Sequence, residues 1–137
     1  MTETISIAEF KNLTKFGKVK GSPQSESSLQ QFCVKWFRLQ HPDKTLYSVP
    51  NGGIRNTVTA AILKAEGALA GVPDLFLMHP AGRYHGLYIE MKFGKNGLTA
   101  EQINFFLKAE KEGFKCVTCW SFEEFESEIN NYLNEKK

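Results

Sequence analysis

Residues 71–102 read GVPDLFLMHPAGRYHGLYIEMKFGKNGLTAEQ, and the two short apolar runs inside this stretch decide the fold. Residues 74–78 (DLFLM) and 87–92 (LYIEMK) are each of strand length, and Pro80, Ala81 and Gly82 between them read as part of a hairpin turn. Side chains alternate along a strand, so Leu87, Ile89 and Met91 point one way into a core while Tyr88, Glu90 and Lys92 point the other way. If the two runs pair, Asp74, which follows the turn-forming Gly71, Val72 and Pro73, lies opposite that second set. Two carboxylates and a lysine then converge.

Working downstream, residues 93–98 form a loop, and Thr99 with Gln102 has the S/T-x-x-E/Q form of a capping box that opens a helix. This helix is expected to carry Ile103, Phe106 and Leu107 inward and to end at Gly113. Residues 114–120 read as a strand. Ser121 with Glu124 reads as a second capping box, leading a helix with Phe122, Phe125, Ile129, Tyr132 and Leu133 on its apolar side. Upstream, Val58, Ala61, Ile62 and Ala65 share one face of a helix that Gly67 is placed to stop. Asn51, Gly52 and Gly53 read as a turn after a short strand at 44–50. Before it, Leu29, Phe32, Cys33, Trp36 and Phe37 recur at helical steps, with serines just ahead as N-caps. Residues 1–24 are polar, Lys-rich and weakly periodic, an N-terminal arm with at most a short helix at 5–13. The order α-β-α-β-β-α-β-α implies an α/β domain over 25–137, a central mixed sheet covered by helices.

The chain has 137 residues, 42% apolar and 23% charged, which suits one folded domain and excludes a disordered polar chain. No apolar run approaches the roughly 18 residues of a membrane helix, and the start lacks the basic-then-apolar order of a signal peptide, so a cytoplasmic location without membrane partners is expected. A net charge of +2 does not by itself announce nucleic-acid binding. Residues 1–70 hold nine Lys and Arg against five Asp and Glu, residues 71–137 eight against ten, so only the first half leans basic. Cys33, Cys116 and Cys119 are too few for a disulfide framework. Cys116 and Cys119 also fall on opposite faces of their strand with no second pair to complete a zinc site, which points to a structural role. His41, His79 and His85 share no spacing.

Two convergent carboxylates are the hard oxygen ligands a Mg²⁺ ion needs, with its other positions left for water and a phosphate oxygen. A lysine beside them can lower the pKa of an attacking water or neutralise charge growing on the phosphate, which together describe phosphodiester hydrolysis. The same three residues also read as a cross-strand salt bridge of Lys92 on an exposed sheet face, worth little energy. Spacing alone leaves both readings standing.

The ordered set Gly71-Val-Pro-Asp-Leu75, Tyr88-Ile-Glu-Met-Lys92 and Leu98-Thr-Ala-Glu-Gln102, with Asn51-Gly-Gly53 ahead of it and Arg55 just after that turn, resembles the PD-(D/E)xK nuclease superfamily. It is most similar to that superfamily's VRR-NUC family of virus-type replication and repair nucleases, and the likeness runs from about residue 26 to 133. The resemblance implies a restriction-endonuclease-like core. It makes Asp74, Glu90 and the main-chain carbonyl of Met91 ligands of Mg²⁺, with Mn²⁺ as substitute, and Lys92 the catalytic lysine. Glu26 matches the acidic residue of the family's first helix; its spacing to Leu29 and Cys33 puts it on the inward face, although a first-turn Glu is also favoured by the helix dipole. Gln102 matches a catalytic-side glutamine, and equally completes its capping box.

Main-chain N–H groups at Asn51, Gly52 and Gly53, with Arg55, and on the same footing Lys95 and Asn96, are candidate nucleic-acid contacts, as against a plain turn and loop. By the resemblance the protein is a stand-alone, phage-type endonuclease working in a bacterial cytoplasm on branched DNA, a junction or flap, as a homodimer whose two sites cut two strands. A non-catalytic DNA-binding module of the same fold, and a nicking or RNA-directed nuclease, are the alternatives.

Overall fold

Ser25 opens the first helix because its hydroxyl accepts the Ser28 N–H at 3.1 Å while the Ser28 hydroxyl accepts the Ser25 N–H at 3.0 Å, a reciprocal cap. The computed structural model describes residues 25–50 and 57–136, so the arm at 1–24 and the turn at Asn51, Gly52 and Gly53 with Arg55 lie outside the described residues. Helix α1 (Glu26–Gln40) buries Leu29, Cys33, Trp36 and Phe37 and stops at His41, ahead of Pro42. There follow β1 (Leu46–Ser48), α2 (Thr57–Ala65), β2 (Leu75–Leu77), β3 (Leu87–Met91), α3 (Ala100–Lys111), β4 (Lys115–Cys119) and α4 (Phe122–Leu133). The element order and the mixed α/β sheet are those expected from the sequence.

The strands form one sheet in the order β1-β2-β3-β4. β1 and β2 run antiparallel with α2 between them in the chain, β2 and β3 run antiparallel through a shorter loop, and β3 and β4 run parallel, joined by the α3 crossover. Leu75, Leu77, Leu87, Ile89 and Met91 point to one face and are fully buried against α1 and α4, where Trp36 meets Phe122 and Phe125 edge-on at 5.4 and 6.0 Å. On the other face, Phe76 packs on Tyr88 at 4.6 Å and Tyr88 on Phe105 of α3 at 5.0 Å. Strand alternation therefore separates an apolar face from a second face that is part aromatic and part charged.

Two local expectations need correction, for α3 and for the start of α4, and the shared apolar face of α2 proves to be exposed. Helix α3 turns Gln102, Phe105, Phe106 and Ala109 inward, while Ile103 and Leu107 are exposed; the bond of Gln102 to β3 and the stacking of Phe105 on Tyr88 choose the face. Helix α2 stops near Gly67, at φ +114°, as expected, but it buries no residue, and Val58 and Ile62 are exposed. Ser121 does cap α4, but Glu124 reaches the Trp120 N–H at 2.7 Å instead of returning to Ser121, so the second box is not reciprocal. Removing the ring of fully buried Phe37 (Phe37→Ala) should cost about 3–5 kcal/mol, much of a typical domain stability of about 5–15 kcal/mol. Ile62→Ala, at a residue 53% exposed, should stay within about 0.5 kcal/mol, as read by denaturant unfolding.

Candidate active site

The antiparallel register sets Leu75 opposite Ile89 and Phe76 opposite Tyr88, so the next position places Asp74 opposite Glu90 on the face away from the apolar core. Like charges directly across a strand pair repel, and here Glu90 is buried, at 3% exposure, and Asp74 half-buried. Neighbouring groups offset part of this cost. The Met91 N–H donates to Asp74 Oδ2 at 2.8 Å, and the Asp74 carbonyl is held by the Val49 N–H at 2.8 Å. The Lys92 ammonium stands 3.6 Å from Glu90 Oε2, and both side chains are buried. The surface form of the salt-bridge reading is thereby removed.

Gln102 closes its capping box and also reaches the carboxylate pair. Its Oε1 accepts the Thr99 N–H at 2.8 Å, closing the capping box, while its Nε2 donates to Glu90 Oε2 at 3.0 Å. The start of α3 thus holds the strand carboxylate. Gly71 allows this approach: it has φ +94°, and a Cβ there would collide with the Glu101 carbonyl and stand 2.6 Å from its carbon. Glu90 Oε1 is buried with no hydrogen-bond partner. A buried carboxylate oxygen that no protein N–H or O–H reaches, beside a second carboxylate, needs either a proton shared with Asp74 or a cation.

Burial pushes the Glu90 carboxyl up to about 8, with the Asp74 charge adding to the rise and Lys92 opposing it. Asp74 is also raised, chiefly by burial, against the pull of the Met91 N–H. Two carboxylates this close cannot both ionise freely, so without a metal the pair favours one proton, shared through a hydrogen bond between the two side chains. Glu26, half-buried at the start of α1, is raised by burial and then by Asp74, and lowered by Lys92, which sets it beside the cluster. Among the described residues no three His, Cys, Asp or Glu side chains enclose a metal by themselves, so Asp74 and Glu90 form a two-carboxylate donor set. The Met91 main chain adjoins them through its N–H, while its side chain lies in the core.

Lys95 is exposed in the loop after β3. The Asn96 carbonyl accepts the Trp120 indole N–H at 2.7 Å, which pins that loop. Trp120 was not legible as a site residue, since nothing local to it signals a partner 24 positions away. Cys116 and Cys119 face opposite sides of β4 as expected, each thiol pushed up to about 12 by burial.

Asp74, Glu90 and Lys92 thus stand on one face of the middle strands of a mixed α/β sheet. The chain belongs to the VRR-NUC family, whose VRR-NUC domain model matches residues 19–123. A solved structure described as a VRR_NUC domain protein is 25% identical and superposes with a TM-score of 0.69 over 85% of this chain and 93% of that one. No curated protein matches the sequence.

Raised carboxyl pKa values fix the sign of a pH effect. The native protein binds protons that the unfolded chain, with Glu near 4.5 and Asp near 3.8, has already released, so metal-free stability falls as pH rises from about 4.5 through about 8. In EDTA the melting temperature should be higher at pH 5.5 than at pH 8, and Glu90→Gln should flatten that difference. An equal dependence in Glu90→Gln would count against the buried pair as its source.

Proposed function

We propose that this chain is a Mg²⁺-dependent endonuclease that hydrolyses phosphodiester bonds in DNA. The observation that supports it most is the opposed Asp74–Glu90 pair, in which one oxygen of the buried Glu90 is reached by no protein donor. Such a donor set fits a hard divalent cation held through Asp74, Glu90 and the Met91 carbonyl. When bound, that ion supplies Lewis acidity and a lowered pKa for water. Lys92 presents an ammonium to the negative charge that develops on the phosphate, in a site dry enough to strengthen the interaction. Gln102 fixes the Glu90 carboxylate through Oε2, which leaves Oε1 for the cation. Glu26, at the edge of the cluster, orients water.

VRR-NUC membership and the burial of Lys92 beside the two carboxylates support catalysis over a DNA-binding role alone, since a buried lysine facing acidic groups is poorly placed to grip phosphate. One site per chain cuts one strand, so action on a branched junction or flap is proposed to come from a homodimer with two sites. Among the described residues no helix is long and apolar enough to cross a membrane.

Linear, nicked, flapped and four-way DNA should be tested with the full chain. Mg²⁺ and Mn²⁺ should support cleavage, with branched substrates preferred, and Ca²⁺ should allow binding with little turnover because its coordination is looser. Robust cleavage in EDTA would refute the metal role. Light scattering at micromolar concentration should give twice the mass of one chain; a single-chain mass, both free and with junction DNA, would refute the dimer.

A further inference from the structure

A groove of about 870 Å³ runs along the outer flank of α1 to the edge strand at Ser48. Its wall carries Gln30, Gln31, Lys35 and Arg38 together with the apolar Val34 and Leu39, and its far end is Glu26, the residue at the edge of the carboxylate cluster. Glu26 and Arg38 are twelve positions apart in one helix. That is about 18 Å along the axis, the axial span of about five phosphates of one strand. The groove therefore leads away from the active site over a length suited to a nucleic-acid backbone.

Charge also marks this side. Helix α1 has Lys35 and Arg38 against the single acid Glu26, whereas α4, packed beside it, has Glu123, Glu124, Glu126 and Glu128 and no Lys or Arg. A polyanion is repelled by the second surface and drawn to the first. Arg38 is set in place by a bond from Nη2 to the Leu46 carbonyl at 3.1 Å, and a guanidinium has more N–H donors than this one bond uses. Side-chain amides and cations of this kind contact phosphate and sugar without reading sequence.

We propose that the α1 groove holds the sugar-phosphate backbone of the DNA strand flanking the scissile phosphate, through Gln30, Gln31, Lys35 and Arg38. This rests on the nuclease reading of the site. It gives the first helix two functions, a water-orienting acid at its start and a strand track along its exposed side. The enzyme thus grips the strand mainly on one side of the cut.

The test uses the full chain and a labelled flapped DNA. Affinity is measured by fluorescence anisotropy in Ca²⁺ across about 50–200 mM salt, and cleavage in Mg²⁺ on the same DNA. Lys35→Ala/Arg38→Ala should bind about tenfold more weakly, and its log–log salt slope should be shallower by roughly 1.4–1.8, the loss of two phosphate contacts. Lys35→Glu, a change at an exposed position, should weaken binding without altering the melt, and Gln30→Ala/Gln31→Ala should weaken it without changing the slope. Lys108→Ala/Lys111→Ala, on α3, should bind as wild type. A wild type that binds and cuts while Lys35→Glu and Lys35→Ala/Arg38→Ala keep its affinity and slope would overturn the groove alone. A wild type that neither binds nor cuts would overturn the nuclease reading, and the groove with it.

Discussion

The repulsion between Asp74 and Glu90, held opposite each other across β2 and β3, is the constraint around which the surrounding structure is arranged. Opposed like charges destabilise a sheet even on a wet surface, and burial adds the cost of desolvation. The fold meets this with the Met91 N–H on one carboxylate, the Gln102 amide and the Lys92 ammonium on the other, and a retained proton. No protein donor reaches one oxygen of Glu90, so without a metal only that proton is left for it. A buried ion pair is poor evidence for stability in itself, so an incompletely satisfied one is better explained by use.

Much of the remaining architecture keeps these groups in register. The apolar face of β2 and β3 is fixed by α1 and α4, which prevents a slip that would turn Glu90 into the core. The opposite face is covered by α3, whose first turn is locked to the strand by Gln102 and admitted close to the chain by Gly71. The parallel pairing of β3 with β4 holds the Lys92 main chain through the Cys119 carbonyl at 2.9 Å. Trp120, just beyond β4, anchors the neighbouring loop through Asn96.

The period-two pattern of LYIEMK and the turn residues before it were enough to separate the core face of β3 from its charged face and to pair Asp74 with Glu90, because strand alternation is a local rule. The capping box of α3 was legible for the same reason. The inward face of α3 was not: residues 102–109, QINFFLKA, are apolar on several sides, and the partners that decide, Tyr88 and Glu90, come from another segment. Glu124 likewise finds the Trp120 N–H, a choice that S-x-x-E does not encode. The polar stripe of α1 carries no motif and acquires meaning only once Glu26 is seen beside the cluster.

Lys92 is where a structural and a chemical account of the site differ most. Lys92→Met keeps the aliphatic stem and removes the ammonium, and Glu90 can then keep its proton, so the fold should survive. The decisive measurement is single-turnover cleavage of flapped or four-way DNA by wild type and Lys92→Met in Mg²⁺, with DNA affinity in Ca²⁺ and a thermal melt taken alongside. The account predicts a folded variant that binds DNA nearly as well as wild type and cleaves roughly 10²–10³ times more slowly, the usual effect of removing one transition-state donor. A folded, DNA-binding Lys92→Met that cleaves at close to the wild-type rate would contradict it.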